Sequence, residues 1–440
     1  MTSKRLFVVA VALALAFGPL AGSVLAQGQS IFIPLLVYRT GPYAPSGIPN
    51  ANGFQDYFNL LNERDGGING VKLAIEECET QYDTKQGVEC YERLKSRAVL
   101  INAYSTGITY QLIPKAPGDK VVVHSMGYGM TASADGRWFP WVFNFPMTYW
   151  SQASAFVKYV AAQEGGMEKL KGKKIVHIFH NSPYGKEANP TLETLAKLHG
   201  FDLTLLAVDH PGQEQKATWL QVRKLSPDWI YLSGWGVMNG VAVREAAAIG
   251  YKMDRLIGNW WSGSESDVIP AGAGAKGFKS MTFHAPGAGF KVHQDVIKHV
   301  YDKGKGATKK ESLGEVYHNR GMINAMLNGE AIRTAMVKYN LKTAPTGEQV
   351  RWGFENLNLT DAQLDKLGMK GMIRPIRVTC ENHEGNGMAA VQQWDGKQWK
   401  VVSDWIEPMR DVVRPKLEEA AVQEGGEKLK YTKRDCSKEK

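Results

Sequence analysis

Apolar and polar positions alternate along the chain with two different periods. Ile31–Tyr38, Val71–Cys78, Val99–Ala103 and Val121–His124 are short, mostly apolar runs, the pattern of strands buried on both faces. Between them, Asn52–Arg64 carries Phe54, Tyr57, Phe58 and Leu61 at helical spacing, and Thr84–Arg97 predicts a second helix. The cluster Asp65-Gly66-Gly67-Ile68-Asn69-Gly70 predicts a turn. The pattern restarts after "FPWVFNFPM", Phe139–Met147, whose two prolines suit a crossing between lobes. Helices are predicted at Tyr149–Gln163, Gly185–His199, Gln215–Leu225 and Val237–Ile249. Strands are predicted at Lys174–Phe179, Leu203–Val208, Trp229–Ser233 and Arg255–Trp260. Beyond Gly289 the chain turns helical over Gln294–Tyr301, Leu313–Tyr339 and Thr346–Asn356. It ends in a predicted hairpin of Arg377–Cys380, Met388–Trp394 and Trp399–Val402, turning at Asp395-Gly396-Lys397. The fold class is α/β, with two successive lobes, each a mostly parallel sheet covered by helices.

The first residues have a different pattern. Lys4 and Arg5 precede the apolar run Leu6–Phe17, and Gly18, Pro19 and Val24-Leu25-Ala26 follow. This predicts a secretory signal peptide over 1–26, cleaved after Ala26, and export to the periplasm. The run falls short of the roughly 20 residues a spanning helix needs. At 440 residues the chain is too long for one core. Its net charge of +9 is dispersed, except where acids interleave with bases in the tail from Lys416. No basic stripe accompanies the charge, so no nucleic-acid partner is expected. Four cysteines in an exported chain predict two disulfides with three possible pairings. Cys78 with Cys90 and Cys380 with Cys436 are the favoured pairs. The first closes a strand–loop–helix corner, and the second pins an otherwise loose charged tail. None of the four stands in a C-x-x-C pair, so no metal is expected.

Enzyme signatures are missing. The chain has no G-x-S-x-G elbow, no phosphate-binding P-loop and no H-E-x-x-H. His177 and His180 fall three apart on a strand and read as ordinary strand histidines. Gly272–Gly277 matches G-x-G-x-x-G but follows a loop and precedes a strand. The dinucleotide motif needs the reverse context, so these residues are expected to form a flexible loop. No catalytic residue and no cofactor are expected. A binding protein is the reading left, with its site where loops leave the carboxyl ends of the strands in both lobes.

Four stretches carry a resemblance: Thr40-Gly41-Pro42-Tyr43, Asn62–Gly70, Asp83 with Lys85-Gln86-Gly87, and Ser182-Pro183-Tyr184-Gly185. In this order the chain resembles the type I periplasmic solute-binding proteins of ABC importers, in the branched-chain amino-acid (leucine/isoleucine/valine) group. The resemblance covers Ile31 to Trp405. It implies two doubly wound, Rossmann-like lobes joined by a three-strand hinge that closes on ligand. Lobe one would span 31–147 plus 285–372, lobe two 148–284 plus 373–412, and a charged tail 413–440. The implied partners are a small-molecule ligand and the permease subunits of the transporter, with the protein itself a monomer.

The resemblance also implies the site. Ser105 and Thr106, after a strand and opening a helix, would hold a ligand carboxylate. Gly127 and Tyr128 stand in the family's small-residue ligand loop, and Tyr128 narrows it. Tyr43, Tyr184 and Trp235 would be aromatic walls. In "GNWWSGS", Gly258–Ser264, Trp260 falls where amino-acid binders keep the acid that accepts the ligand ammonium. Glu265 and Asp267 could substitute only if the loop folds back. An ammonium enclosed without a carboxylate is costly, so a carboxylate with an apolar or aromatic body is expected. An aromatic cage for a quaternary ammonium is the rival ligand. A branched-chain amino-acid or amide binder, a ligand-sensing module for a receptor and a secreted enzyme are the alternative functions. Of the paired tryptophans, one is expected to pack into the lobe and the other to face the ligand.

Overall fold

The computed structural model describes residues 30–439, so the segment read as a signal peptide lies outside the described residues. Lobe one is built on β1 (Ser30–Val37), β2 (Lys72–Glu79), β3 (Leu100–Ile101), β4 (Val122–His124) and β5 (Val142–Phe143). All pair in parallel, and a Leu35–Asn102 bridge joins β1 to β3, giving the order β2-β1-β3-β4-β5. Lobe two repeats the plan with β6 (Lys174–His180), β7 (Asp202–Val208), β8 (Trp229–Ser233), β9 (Leu256–Gly258) and β10 (Lys279–Thr282), ordered β7-β6-β8-β9-β10. In each lobe the first strand has the second on one side and the third on the other. The winding therefore reverses beside it and opens a crevice at the carboxyl ends, where doubly wound sheets bind ligands. The chain returns to extend lobe two's sheet with β13 (Ala390–Trp394) and β14 (Trp399–Val401), both antiparallel.

Helix starts are set by polar caps that also sit at the crevice. The Ser105 Oγ accepts from the Ile108 N–H at 3.4 Å and starts Thr106–Leu112; the Thr148 Oγ1 accepts from Ser151 at 3.3 Å and starts Tyr149–Glu164. The helices Ala44–Arg64 and Val316–Lys338 cross tightly at Gly53 and Gly321. A Cβ on either would overlap a carbonyl of the other helix, that of His318 or Asn50. This crossing fixes the start of the long helix against the crevice.

Several elements differ from expectation. The first helix begins at Ala44, with Pro45 in its first turn, so Tyr43 is the residue at its cap. The strand expected to reach Trp260 ends at Gly258, because the Asn259 Oδ1 accepts from the Trp261 N–H at 2.8 Å and turns the chain. Gly272–Gly277 is only in part the expected loop: Ile269–Ala275 forms two short 3-10 turns broken at Gly272 (φ +54°, ψ −134°), and Lys276 and Gly277 turn the chain into β10. The expected hairpin loses its first arm, since β12 (Ile376–Arg377) pairs instead with β11 (Asn358–Leu359). The tail is pinned by Cys380–Cys436 as expected, but it is also held by more than that crosslink. Arg410–Ala421 is helical, and the residues beyond it dock on lobe one, where Arg434 pairs with Glu355 and the Tyr431 hydroxyl donates to the Ile113 carbonyl. Both favoured disulfides form, Cys78–Cys90 and Cys380–Cys436, with Cα atoms 5.9 and 5.8 Å apart.

Candidate ligand cleft

The two lobes meet along their carboxyl-end loops and are shut against each other. At one rim, the Tyr43 hydroxyl of lobe one lies 2.9 Å from His180 Nε2 and 3.0 Å from His210 Nδ1 of lobe two. Beside it the Val237 N–H donates to the Pro42 carbonyl at 3.2 Å. At the other rim, the Glu187 carboxylate accepts from the Thr131 hydroxyl at 2.7 Å and from Tyr110. Burial pushes the Tyr43 hydroxyl up to about 12 and holds the His180 imidazole down to about 3, with His210 adding to the second effect.

Between the rims the space is aromatic. Trp261 stacks on Tyr128 with ring centroids 4.2 Å apart and planes at 28°, and Trp235 meets Trp261 edge-on at 5.0 Å. Trp260 stacks on Tyr149 at 5.0 Å, with the edge of Phe283 at 5.6 Å. The Gly127 carbonyl accepts from Trp261 Nε1 at 2.5 Å and from the Tyr149 hydroxyl. Gly127 has φ +77°, and a Cβ there would come within 3.0 Å of Trp260 Nε1. Both tryptophans are thus buried and both reach the lobe-one loop. Trp260 keeps its packing within lobe two, on Tyr149 and Phe283, while Trp261 crosses to Tyr128 of lobe one, and the Asn259 turn lets both reach the Gly127 loop.

The remaining expected residues fall as follows. Ser105 is a buried cap, and the Thr106 hydroxyl lies 3.4 Å from that of Tyr149. The Tyr184 hydroxyl sits 2.8 Å from the Gly234 carbonyl and 2.9 Å from Asn259 Oδ1, which it shares as acceptors. Tyr128 is held by Tyr38 (2.8 Å between hydroxyls) and by Asn50. A planar ligand between two rings needs about 7 Å, two van der Waals contacts, so Tyr128 and Trp261 are in contact with each other rather than spaced as a sandwich. Trp235 and Trp260 are different: among the described residues neither indole N–H meets an acceptor, although both are buried. The acids after Trp260 do fold back, but onto lobe one. Glu265 accepts from the Val316 N–H at 3.0 Å, and Asp267 from the Tyr317 hydroxyl at 3.1 Å. Burial raises Glu265 to about 7 and Asp267 to about 6.

Sequence reading missed Arg320, Tyr149 and the two histidines of the rim. Arg320 stands in the first turns of Val316–Lys338 and is 0% exposed. Its Nη1 donates to the Trp260 carbonyl, and its Nε and Nη2 lie 3.3 and 3.2 Å from His284 Nε2. His284 Nδ1 faces the Ala285 carbonyl at 3.0 Å, which leaves Nε2 as the acceptor. Burial pulls the guanidinium down to about 10. One signal was available: positions 316, 317, 323 and 324, one turn either side on the same helix, are Val, Tyr, Ile and Asn, so no acid there could pair with it. A surface cavity of about 390 Å³ near Lys173, Tyr251 and Arg255 lies at the opposite ends of lobe two's strands and takes no part in the cleft.

Two doubly wound lobes shut on a loop-lined cleft define a solute-binding protein. A family model of periplasmic binding proteins matches residues 30–398, and the chain belongs to that family, as a solute-binding protein of the ABC-transporter type. A solved structure from the Pseudomonas fluorescens group, named an ABC transporter permease, is 41% identical with a TM-score of 0.86, covering 93% of this chain and 99% of that one. The Leu/Ile/Val-binding protein homolog 1 of Brucella abortus is 25% identical over 300 residues, 67% of this chain and 76% of its own. A solute-binding protein from R. palustris, solved in complex with benzoate, has a TM-score of 0.68 at 14% identity, covering 86% of this chain and 97% of that one.

Proposed function

We propose that this protein captures a small carboxylate with an apolar or aromatic body between its lobes and delivers it to an ABC permease from the periplasm. In this reading it acts as a monomer, does not turn its ligand over and has no nucleic-acid partner. Trp235, Trp260, Tyr149 and Tyr184 supply flat walls, Ser105, Thr106 and Gly127 the polar edge, and Tyr43 and Tyr128 close the cleft around them. The observation that carries it is the pair of buried indole N–H groups of Trp235 and Trp260, unpartnered among the described residues. Buried donors seek acceptors, which a carboxylate has and an ammonium lacks. Benzoate in the R. palustris neighbour fits the same chemistry. The name of the Brucella relative favours a branched-chain amino acid instead. Against it, both Asp267 oxygens already accept, from Asn239, from Ser264 and from Tyr317, which leaves an ammonium poorly served.

Calorimetry and thermal shift with benzoate, 4-hydroxybenzoate, leucine and valine test this. Binding of the benzoates supports the reading; binding confined to leucine or valine overturns it. A role in sensing rather than transport would be recognised by a membrane receptor, not a permease, co-purifying with the liganded protein.

A further inference from the structure

We infer that Arg320 holds the anionic group of the ligand and thereby sets the charge class that the cleft accepts, an inference that rests on the carboxylate reading. Several half-buried arginines of this protein face an acid: Arg39 has Glu77, Arg64 has Asp65, Arg137 has Asp135 and Arg434 has Glu355. Arg320 is wholly buried, and among the described residues no carboxylate reaches it. It has two neutral acceptors, His284 Nε2 and the Trp260 carbonyl. Ring faces of Trp261, Phe283 and Tyr317 stand 4.7, 4.8 and 5.4 Å from its central carbon. Faces of this kind stabilise a desolvated guanidinium and lie off its plane, so two of its five N–H donors, those not given to His284 and Trp260, remain for a carboxylate.

The position suits the role. Arg320 projects from lobe one onto the turn that carries Trp260 and Trp261 from lobe two. It grips the backbone of Trp260, whose own indole N–H has no acceptor. A carboxylate entering beside Trp260 would meet a cation and a neutral donor from opposite lobes, so closing the cleft would complete its coordination. The nearest competitor is Asp267, whose Oδ2 is occupied by Ser264 and Tyr317. A purely structural Arg320 would clip the Trp260 carbonyl and favour closure on any ligand, charged or neutral. The two roles therefore separate by ligand charge.

The test compares benzoate with benzamide, its neutral isostere, by calorimetry on the wild type, R320M and R320K, with circular dichroism to establish folding. The wild type should bind benzoate at least roughly 100-fold more tightly than benzamide, as loss of one partner of a buried charge pair implies. R320M should bring the two ligands within a few-fold of each other, mostly by losing benzoate, and R320K should keep part of the preference. If R320M does not fold, R320K carries the test: it must weaken benzoate about tenfold and leave benzamide unchanged. A benzoate preference that survives in the folded variant, or an equal loss for both ligands, overturns the inference while leaving the carboxylate reading standing. A wild type that binds leucine and neither benzoate nor 4-hydroxybenzoate overturns both.

Discussion

Trp261 ties the lobes by one hydrogen bond and one ring contact, and a single substitution can separate them. Trp261→Phe keeps a ring against Tyr128 but removes the donor to the Gly127 carbonyl, which retains the Tyr149 hydroxyl. The loss is that of a neutral buried hydrogen bond whose acceptor stays satisfied, about 1 kcal/mol. The balance between open and closed forms should move about fivefold toward open, seen as a larger radius of gyration in small-angle scattering, with little change in the melting of each lobe. An unchanged radius would mean that the bond does not hold the lobes. Residues such as Tyr184, Trp235 and Trp260 were legible because each follows a strand, and strand ends can be read from hydrophobic runs. Arg320 was not, because its contacts, Trp260 and His284, lie 60 and 36 residues away and only the folded chain assembles them. Tyr149 was hidden for a similar reason: its place at a helix start was evident, its stacking on Trp260 was not.

At the scale of elements, alternating periodicity revealed both lobes because parallel strands here are buried on both faces and their helices on one. Boundaries were less legible where side chains override the pattern, as where Asn259 cuts β9 short. The pinning of the tail was legible in its cysteine, its docking was not: its bases and acids pair with each other and with lobe one, Gly425 lies against the Phe139 ring and Gly426 against the Trp138 ring. Its anchor is testable. Cys380–Cys436 spans 56 residues and Cys78–Cys90 spans 12, so chain entropy assigns the first about 4 kcal/mol and the second about 3. Calorimetric melting of C380S/C436S should therefore fall further than that of C78S/C90S. The double variant at the tail should also expose residues 422–439 to limited proteolysis. The reverse order of melting would show that the tail's ion pairs, not its crosslink, secure it.

The whole molecule is a clamp whose closing surfaces carry titratable groups, so ligand affinity should depend on pH with a sign fixed by their burial. His180 is held down to about 3 in the closed form. Its contribution to closure is complete above its free value, near 6.5, and is lost as pH falls through the interval down to about 3. Glu265 acts in the opposite sense. Raised to about 7 where it meets the Val316 N–H across the cleft, it closes most easily when protonated. Opening returns it to water and to a value near 4.5, so closing takes up a proton between about 4.5 and 7. The penalty on closure grows as pH rises through that window and levels off above it. Asp267, raised to about 6, adds to this at lower pH, where His180 offsets it. Above pH 6.5 Glu265 acts almost alone. Glu265→Gln retains a carbonyl oxygen for the Val316 N–H and cannot ionise. It should bind benzoate roughly tenfold more tightly than the wild type at pH 7.5, a value discounted for solvent screening at a half-buried carboxylate. The difference should shrink as pH falls through this window and vanish below about 4.5, where the wild-type carboxyl is protonated in both forms. Calorimetric titrations in two buffers of different ionisation enthalpy would count the proton directly: about half a proton taken up per ligand at pH 6.5 by the wild type, where release from His180 offsets part of the uptake by Glu265 and Asp267, and a small net release by the variant. Identical pH profiles for the two proteins would mean that Glu265 stays equally buried in the open form and plays no part in closure.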